Sequence, residues 1–307
     1  MKTKYTAILA RERYYEREVQ KQLKTALDTI RGKMVVIYER YAVDGTLSKA
    51  DMTRYNRYAT MERDMLAVVN QSTRETLRTI DRLRPEQYGE SFFRHTIDRL
   101  RPEQYGESFF RHFFRHAWAV DNTVGVRLAW GKLNRDAVIA NLANEFYYIS
   151  KERYGMEARL LIRSTLAQGV AQGVSYQDMS RSLARSMNIL NWRAMRIIRT
   201  EGQTAVSAGQ DAAYIKAQEQ GVEGGVVWDA TLDMRTRATH QAMDGQVRGD
   251  DGYFNGPGGN KAPFPGFPDL PAEERINCRC RLRFEIEGFE PAIRRTREGK
   301  NTQHGNR

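Results

Sequence analysis

The sequence predicts a mainly α protein, a long N-terminal helical hairpin or bundle followed by a small C-terminal α+β module. Three observations predict it. Apolar residues recur at steps of three or four through most of the first two thirds of the chain, the spacing that lays one stripe down a helix. Beyond Gly221 the period changes to short β-branched and aromatic runs. Between them and the last strand pattern, residues 249–271 concentrate glycine and proline around Tyr253, Phe254, Phe264 and Phe267, a long loop of the kind that is either functional or a linker.

The first stripe runs through Val19, Leu23, Leu27, Ile30, Met34, Ile37 or Tyr38, and Tyr41, and Asp44-Gly45 breaks it. Ser48 to Asp51 reads as a capping box opening a second long helix through Met52, Tyr55, Met65, Val69 and Leu77, so an antiparallel hairpin is expected. TIDRLRPEQYGESFFRH then occupies 79–95, recurs unchanged at 96–112, and FFRH follows again at 113–116. Solenoid units diverge while keeping a pattern, so an identity this complete points to a recent duplication or a sequence error. Pro85 and Pro102 are expected to break the helix there, and His95, His112 and His116 read as copies of one exposed unit.

From Asn122 the helical period resumes. Gly169 and Gly173 are expected to stop one helix, Ser175 to Asp178 to cap the next, and a further helix is expected from Asn188 or Asn191 to Gln220. Residues 225–230 read as a strand, Asp233 as the cap of a helix carrying Arg235, Thr236, Arg237 and His240, and Cys280 to Glu287 as a half-buried strand. The expected divisions are a helical arm at 1–121, a helical region at 122–220, the α+β module at 221–288 and a basic, disordered tail at 289–307.

Composition bounds the function. The 307 residues carry a formal net charge of +11, which admits nucleic acid, an acidic protein surface or anionic lipid as partners without choosing among them. The N-terminal stretch lacks an apolar region of signal-peptide length, and no run approaches membrane-spanning length. Both cysteines lie in NCRC, and a disulfide between residues i and i+2 would be badly strained, so a reduced, intracellular product is expected.

Cys278 and Cys280 have two readings. On a strand reaching back to Cys278 both thiols would face inward as small hydrophobes. Joined by His240, they make a three-ligand set for zinc, with Asp233, Asp244 or water as fourth partner, provided Cys278 sits in a turn, because alternate residues of an extended strand lie too far apart. Enzymatic readings also exist: a metal-dependent hydrolase at His240 and the cysteines, or Glu285 and Glu287 as an element resembling the ExE of ADP-ribosyltransferases. No dinucleotide-binding glycine fingerprint accompanies that pair.

RIIRTEGQTAVSAGQ, WDATLDMRTRATHQAMDGQV, the Phe-rich loop and INCRCRLRF follow one another in an order that resembles the phage Mu F-like head morphogenesis family, over roughly residues 155–287. The N-terminal helices resemble the more variable arm of those minor head proteins. The resemblance implies a structural protein, not an enzyme, associated with the portal vertex or procapsid interior. It implies portal, coat or scaffold protein as partner, packaged DNA nearby, and a place in the virion after assembly in the host cytoplasm. Its signature maps onto Arg199, Thr200, Glu201, Asp233, Arg235, Thr236, His240, Gly245, Asn277, Cys278 and Cys280.

Overall fold

The computed structural model describes residues 6–54, 56–98, 145–219, 223–256, 259–286, 293–295 and 301–303. Most of the second copy of the duplicated segment, with Pro102, His112 and His116, lies outside them, as does most of the tail. The chain divides into two compact units, Met1–Leu83 with Ala143–Arg199, and Arg84–Leu142 with Thr200–Arg307.

Among its described residues the first unit is helical apart from residues 42–48, 56 and 173–175: α1 (Thr6–Tyr41), α2 (Lys49–Arg54), the first part of α3 (Arg57–Asp98), α4 (Glu145–Gln172) and the first part of α5 (Tyr176–Glu219). Val19, Leu23, Ile30, Met34 and Tyr38 of the expected stripe are buried, facing Met61, Met65, Val69, Ile80 and Leu83 of α3. Tyr154, Ala158, Ile162 and Leu166 of α4 and Leu183, Met187, Leu190, Ala194 and Ile198 of α5 join the same core. The hairpin is antiparallel: Gln22 Nε2 donates to Thr79 Oγ1 at 2.9 Å, while at the other end the Arg57 guanidinium lies 4.2 Å from the Tyr41 ring centroid. No helix among the described residues is long and apolar enough to cross a membrane.

Four expected boundaries are corrected. The second long helix is interrupted at Asn56, which adopts a left-handed φ of 53°, so α2 is a single short turn and α3 restarts at Arg57. Pro85 does not break α3. A proline in a helix interior removes a backbone hydrogen bond, at a cost of about 3 kcal/mol, and Ile80, Leu83 and Tyr88, buried on either side of the half-buried Pro85, offset that loss by packing. Gly169 does not end α4 but lets α5 approach: a Cβ there would meet Met179 Cε at 2.2 Å. The helix stops at Gly173, with φ of 60°, and the Ser175 hydroxyl accepts the Asp178 amide at 3.2 Å as the cap of α5. Neither Asn188 nor Asn191 starts a helix, because Met187, Leu190, Ala194 and Ile198 continue one buried stripe through them.

The second unit packs α5 beyond Thr200 against a small sheet. Strand β1 (Gly224–Asp229) pairs antiparallel with β4 (Arg281–Ile286), Trp228 opposite Leu282. Between them come α6 (Ala238–Ala242), the short pair β2 (Phe254–Asn255) and β3 (Lys261–Ala262), and the single turn α7 (Ala272–Arg275). The core joins Tyr214, Val226, Trp228, Met243, Phe254, Cys278, Cys280, Leu282 and Phe284. Both edges of the β1–β4 pair are occupied. Along β1, the Trp228 amide donates to Gln246 O and the Arg248 amide to Val226 O. Along β4, helix α5 supplies side chains: Gln210 accepts the Leu282 amide at 3.2 Å and donates to its carbonyl at 3.4 Å, and Gln203 donates to Cys280 O at 2.6 Å. The described part of the glycine-proline stretch is tied to α5, where Thr204 Oγ1 donates to Gly266 O at 2.9 Å. Within the tail, β5 (Ile293–Arg295) pairs with β6 (Asn301–Gln303).

Candidate metal centre

The two thiols are set by a turn rather than a strand. After α7, Asn277 adopts a left-handed φ of 56°, the Cys278 amide donates to Arg275 O at 3.1 Å, and β4 begins only at Arg281. The Asn277 amide is held by Thr200 Oγ1 at 3.2 Å, which anchors that turn to α5. His240, on α6, presents Nδ1 to Cys280 Sγ at 3.2 Å and to Cys278 Sγ at 3.6 Å. The three ligand atoms lie within 4.8 Å of one another, at relative exposures of 2 % for His240, 3 % for Cys278 and 1 % for Cys280. The turn that zinc ligation required is therefore present, and the strand geometry that would have placed the thiols as alternate inward hydrophobes is not.

Tetrahedral zinc, bonded at about 2.0 Å to nitrogen and about 2.3 Å to sulfur, sets N···S separations of about 3.6 Å. The observed 3.2 and 3.6 Å fit that spacing. Neither aspartate expected as fourth partner belongs to the cluster. Asp233 is bound by Arg279, and Asp244 Oδ1 accepts the Ala230 amide at 2.9 Å. The thiols are unequal: hydrogen bonding from Cys280 favours the thiolate at Cys278, while that same pairing and burial push the Cys280 thiol up.

The remaining signature residues form two further groups. Glu201, fully buried, pairs with Arg275 at 2.8 Å and Arg84 at 3.4 Å, beside the Thr200–Asn277 bond. Asp233 receives both guanidinium nitrogens of Arg279 at 2.6 Å, the Arg235 amide at 2.9 Å and the Thr236 hydroxyl at 3.2 Å. Asp233 thus organises a turn and does not cap α6, whose N-cap residue is Arg237, with no side-chain cap bond. Gly245 takes φ of 82° and its amide donates to Trp228 O at 2.9 Å, a conformation that favours glycine. Two residues stand apart. Arg199 belongs to the first unit, where it pairs with Glu16 at 2.8 Å, and the Arg235 side chain is exposed. Glu285 pairs with Arg283 at 2.9 Å, and Glu287 lies outside the described residues.

Sequence reasoning missed Glu274, whose Oε2 lies 3.0 Å from His240 Nε2, and also Arg84, Arg275 and Arg279 as partners of the signature acids. For Glu274 and Arg275 the signal was PAEER, one residue ahead of NCRC, with no periodicity to give it meaning.

The Arg279 guanidinium holds Asp233 well below the usual carboxylate range. A carboxyl with a depressed folded-state pKa adds stability above its unfolded value of about 4 and loses it as pH falls through the folded one. Thermal melts of wild type and Asp233→Asn should therefore differ at pH 6 and converge progressively below about pH 4. A difference independent of pH would show that the Asp233 charge contributes nothing.

Residues 161–283 match the family model described as Phage Mu protein F like protein. The chain is 27% identical over 289 residues to Minor head protein GP7 of Bacillus phage SPP1, covering 92% of this chain and 85% of that protein. It is 28% identical over 188 residues to NAD(+)--arginine ADP-ribosyltransferase EFV of Enterococcus faecalis, 60% of this chain but 38% of that protein. No solved structure matches. The ordered motifs, the turn they build and the matched range coincide: residues 161–283 are similar to the Phage Mu protein F like family.

Proposed function

We propose that the chain is a structural minor head protein of a tailed phage or prophage, assisting head morphogenesis at the portal vertex or procapsid interior and the delivery of DNA. One observation carries this reading: most of the signature residues spend their polar atoms on one another, on backbone groups or on arginines of the same unit, which is the work of holding a shape. The likeness to a minor head protein over most of both chains supports it. Portal, coat or scaffold protein is the expected partner. The charge of +11 suits packaged DNA, where Lys and Arg neutralise phosphates without reading sequence. The protein would assemble in the host cytoplasm and remain with the virion.

Zinc belongs to the same reading. His240 Nδ1, Cys278 Sγ and Cys280 Sγ would hold it, and a structural zinc would lock α6 to the turn ahead of β4 in a unit whose core is small. Elemental analysis of the purified protein should return about one zinc per chain. Chelation should lower the melting temperature of the second unit in wild type and leave His240→Ala unaffected.

The transferase match supports a second reading, catalysis on arginine with a nicotinamide dinucleotide through Glu285 and Glu287. Well over half of that transferase lies outside the match, and Glu285 is engaged by Arg283. Mass spectrometry of purified particles decides between the two. The chain should appear at low copy number and transfer no label from NAD to an arginine acceptor. Absence from particles, or labelling lost in Glu285→Ala, would favour the enzyme.

A further inference from the structure

We infer that Glu274 is the outer-sphere partner that fixes the imidazole of His240 for metal binding, directing its Nδ1 lone pair at both thiols. This rests on the zinc reading above and goes beyond it, because Glu274 is no ligand. The two nitrogens of an imidazole point in divergent directions, so a carboxylate on Nε2 cannot reach a metal held on Nδ1. Glu274 Oε2 lies 3.0 Å from His240 Nε2 and accepts the Thr239 hydroxyl at 2.9 Å. Glu274 is itself buried, on α7, one turn ahead of the cysteines.

The argument is one of tautomers. An ionised carboxylate only accepts, so the Nε2 facing it carries the proton, and in a neutral imidazole Nδ1 is then the bare acceptor. Two sulfurs converge on that single lone pair, Cys280 at 3.2 Å and Cys278 at 3.6 Å. One thiol hydrogen can serve it, and the two thiols bond to each other as well. A divalent cation would engage all three groups at once: two thiol protons leave to solvent, two thiolates and one imidazole nitrogen form bonds to the metal, and the centre is neutral. A carboxylate behind a ligating histidine fixes ring orientation and raises ligand basicity, and losing it typically weakens metal affinity about 10–100-fold. Thr239 holds the carboxylate in turn, so α6 supplies both the ligand and the residue that steadies its partner.

The test titrates zinc into purified full-length wild type, Glu274→Gln and Glu274→Ala in competition with a chromophoric chelator, and records the ring nitrogen NMR of His240. Glu274→Ala should bind about 10–100-fold more weakly than wild type, with Glu274→Gln between them, since its amide oxygen still accepts the Nε2 proton without the charge. In wild type the zinc-loaded ring should show Nε2 protonated and Nδ1 metallated, and in Glu274→Ala without metal the two tautomers should mix. If the alanine variant does not fold, the glutamine variant decides by the same titration. Wild-type affinity in both variants overturns the role of Glu274 while zinc binding stands. A wild type that takes up no zinc removes both.

Discussion

Glu201→Ala is expected to destabilise the protein by about 3–5 kcal/mol, the cost of leaving a buried charge without its partner. Glu201 and Arg275 are each 1 % exposed and sit 2.8 Å apart, with Arg84 3.4 Å away on the other oxygen. Truncating the acid takes a carboxylate away from two guanidinium groups in a space that water scarcely reaches. Burial already works against the charged form of Arg275, with the carboxylate opposing it. Urea denaturation followed by circular dichroism measures the loss. A double replacement, Glu201→Leu with Arg275→Met, should recover a substantial part of it, because two apolar side chains of similar volume replace the buried pair while only Arg84 stays charged. A single variant as stable as wild type would mean the pair is solvated.

Trp228→Ala comes next, at about 3–5 kcal/mol. Trp228 is fully buried near the end of β1, edge-on to Phe254 at 5.3 Å and to the His240 ring at 6.2 Å. Its removal opens a cavity against the face of the module that carries the metal ligands, so zinc affinity should fall together with stability. Equilibrium denaturation and the chelator titration report the two effects separately. A stable variant that binds zinc as wild type does would show that the indole is not what seats His240.

The helices were legible because their burial follows a period. Val19 to Tyr38 shows this, and the run from Leu183 to Ile198 follows the same arithmetic on another helix, although a helix start at Asn188 or Asn191 was expected within it. What periodicity hid were the exceptions made by contacts distant in sequence. Gly169 looks like a terminator and serves as a helix crossing, and Pro85 looks like a break and is carried through by buried neighbours. At the site, the trio of His240, Cys278 and Cys280 was readable from residue chemistry, since imidazole and thiol are scarce in this chain. Glu274 was not, because glutamate is common and nothing in PAEER marks one acid as buried. Arg275 and Arg279 were hidden for the same reason in a chain rich in arginine.

The glutamines of α5 have an effect beyond holding β4 in register. A strand whose outer amides and carbonyls are free is a template on which another chain can lay down its own backbone. Here the Gln210 carboxamide imitates a neighbouring peptide group, giving and taking one hydrogen bond at Leu282, while Gln203 closes Cys280. With residues 246–248 bonded along the far side, the outward backbone groups at Val226, Trp228, Cys280 and Leu282 are already taken, which discourages a foreign strand from pairing there.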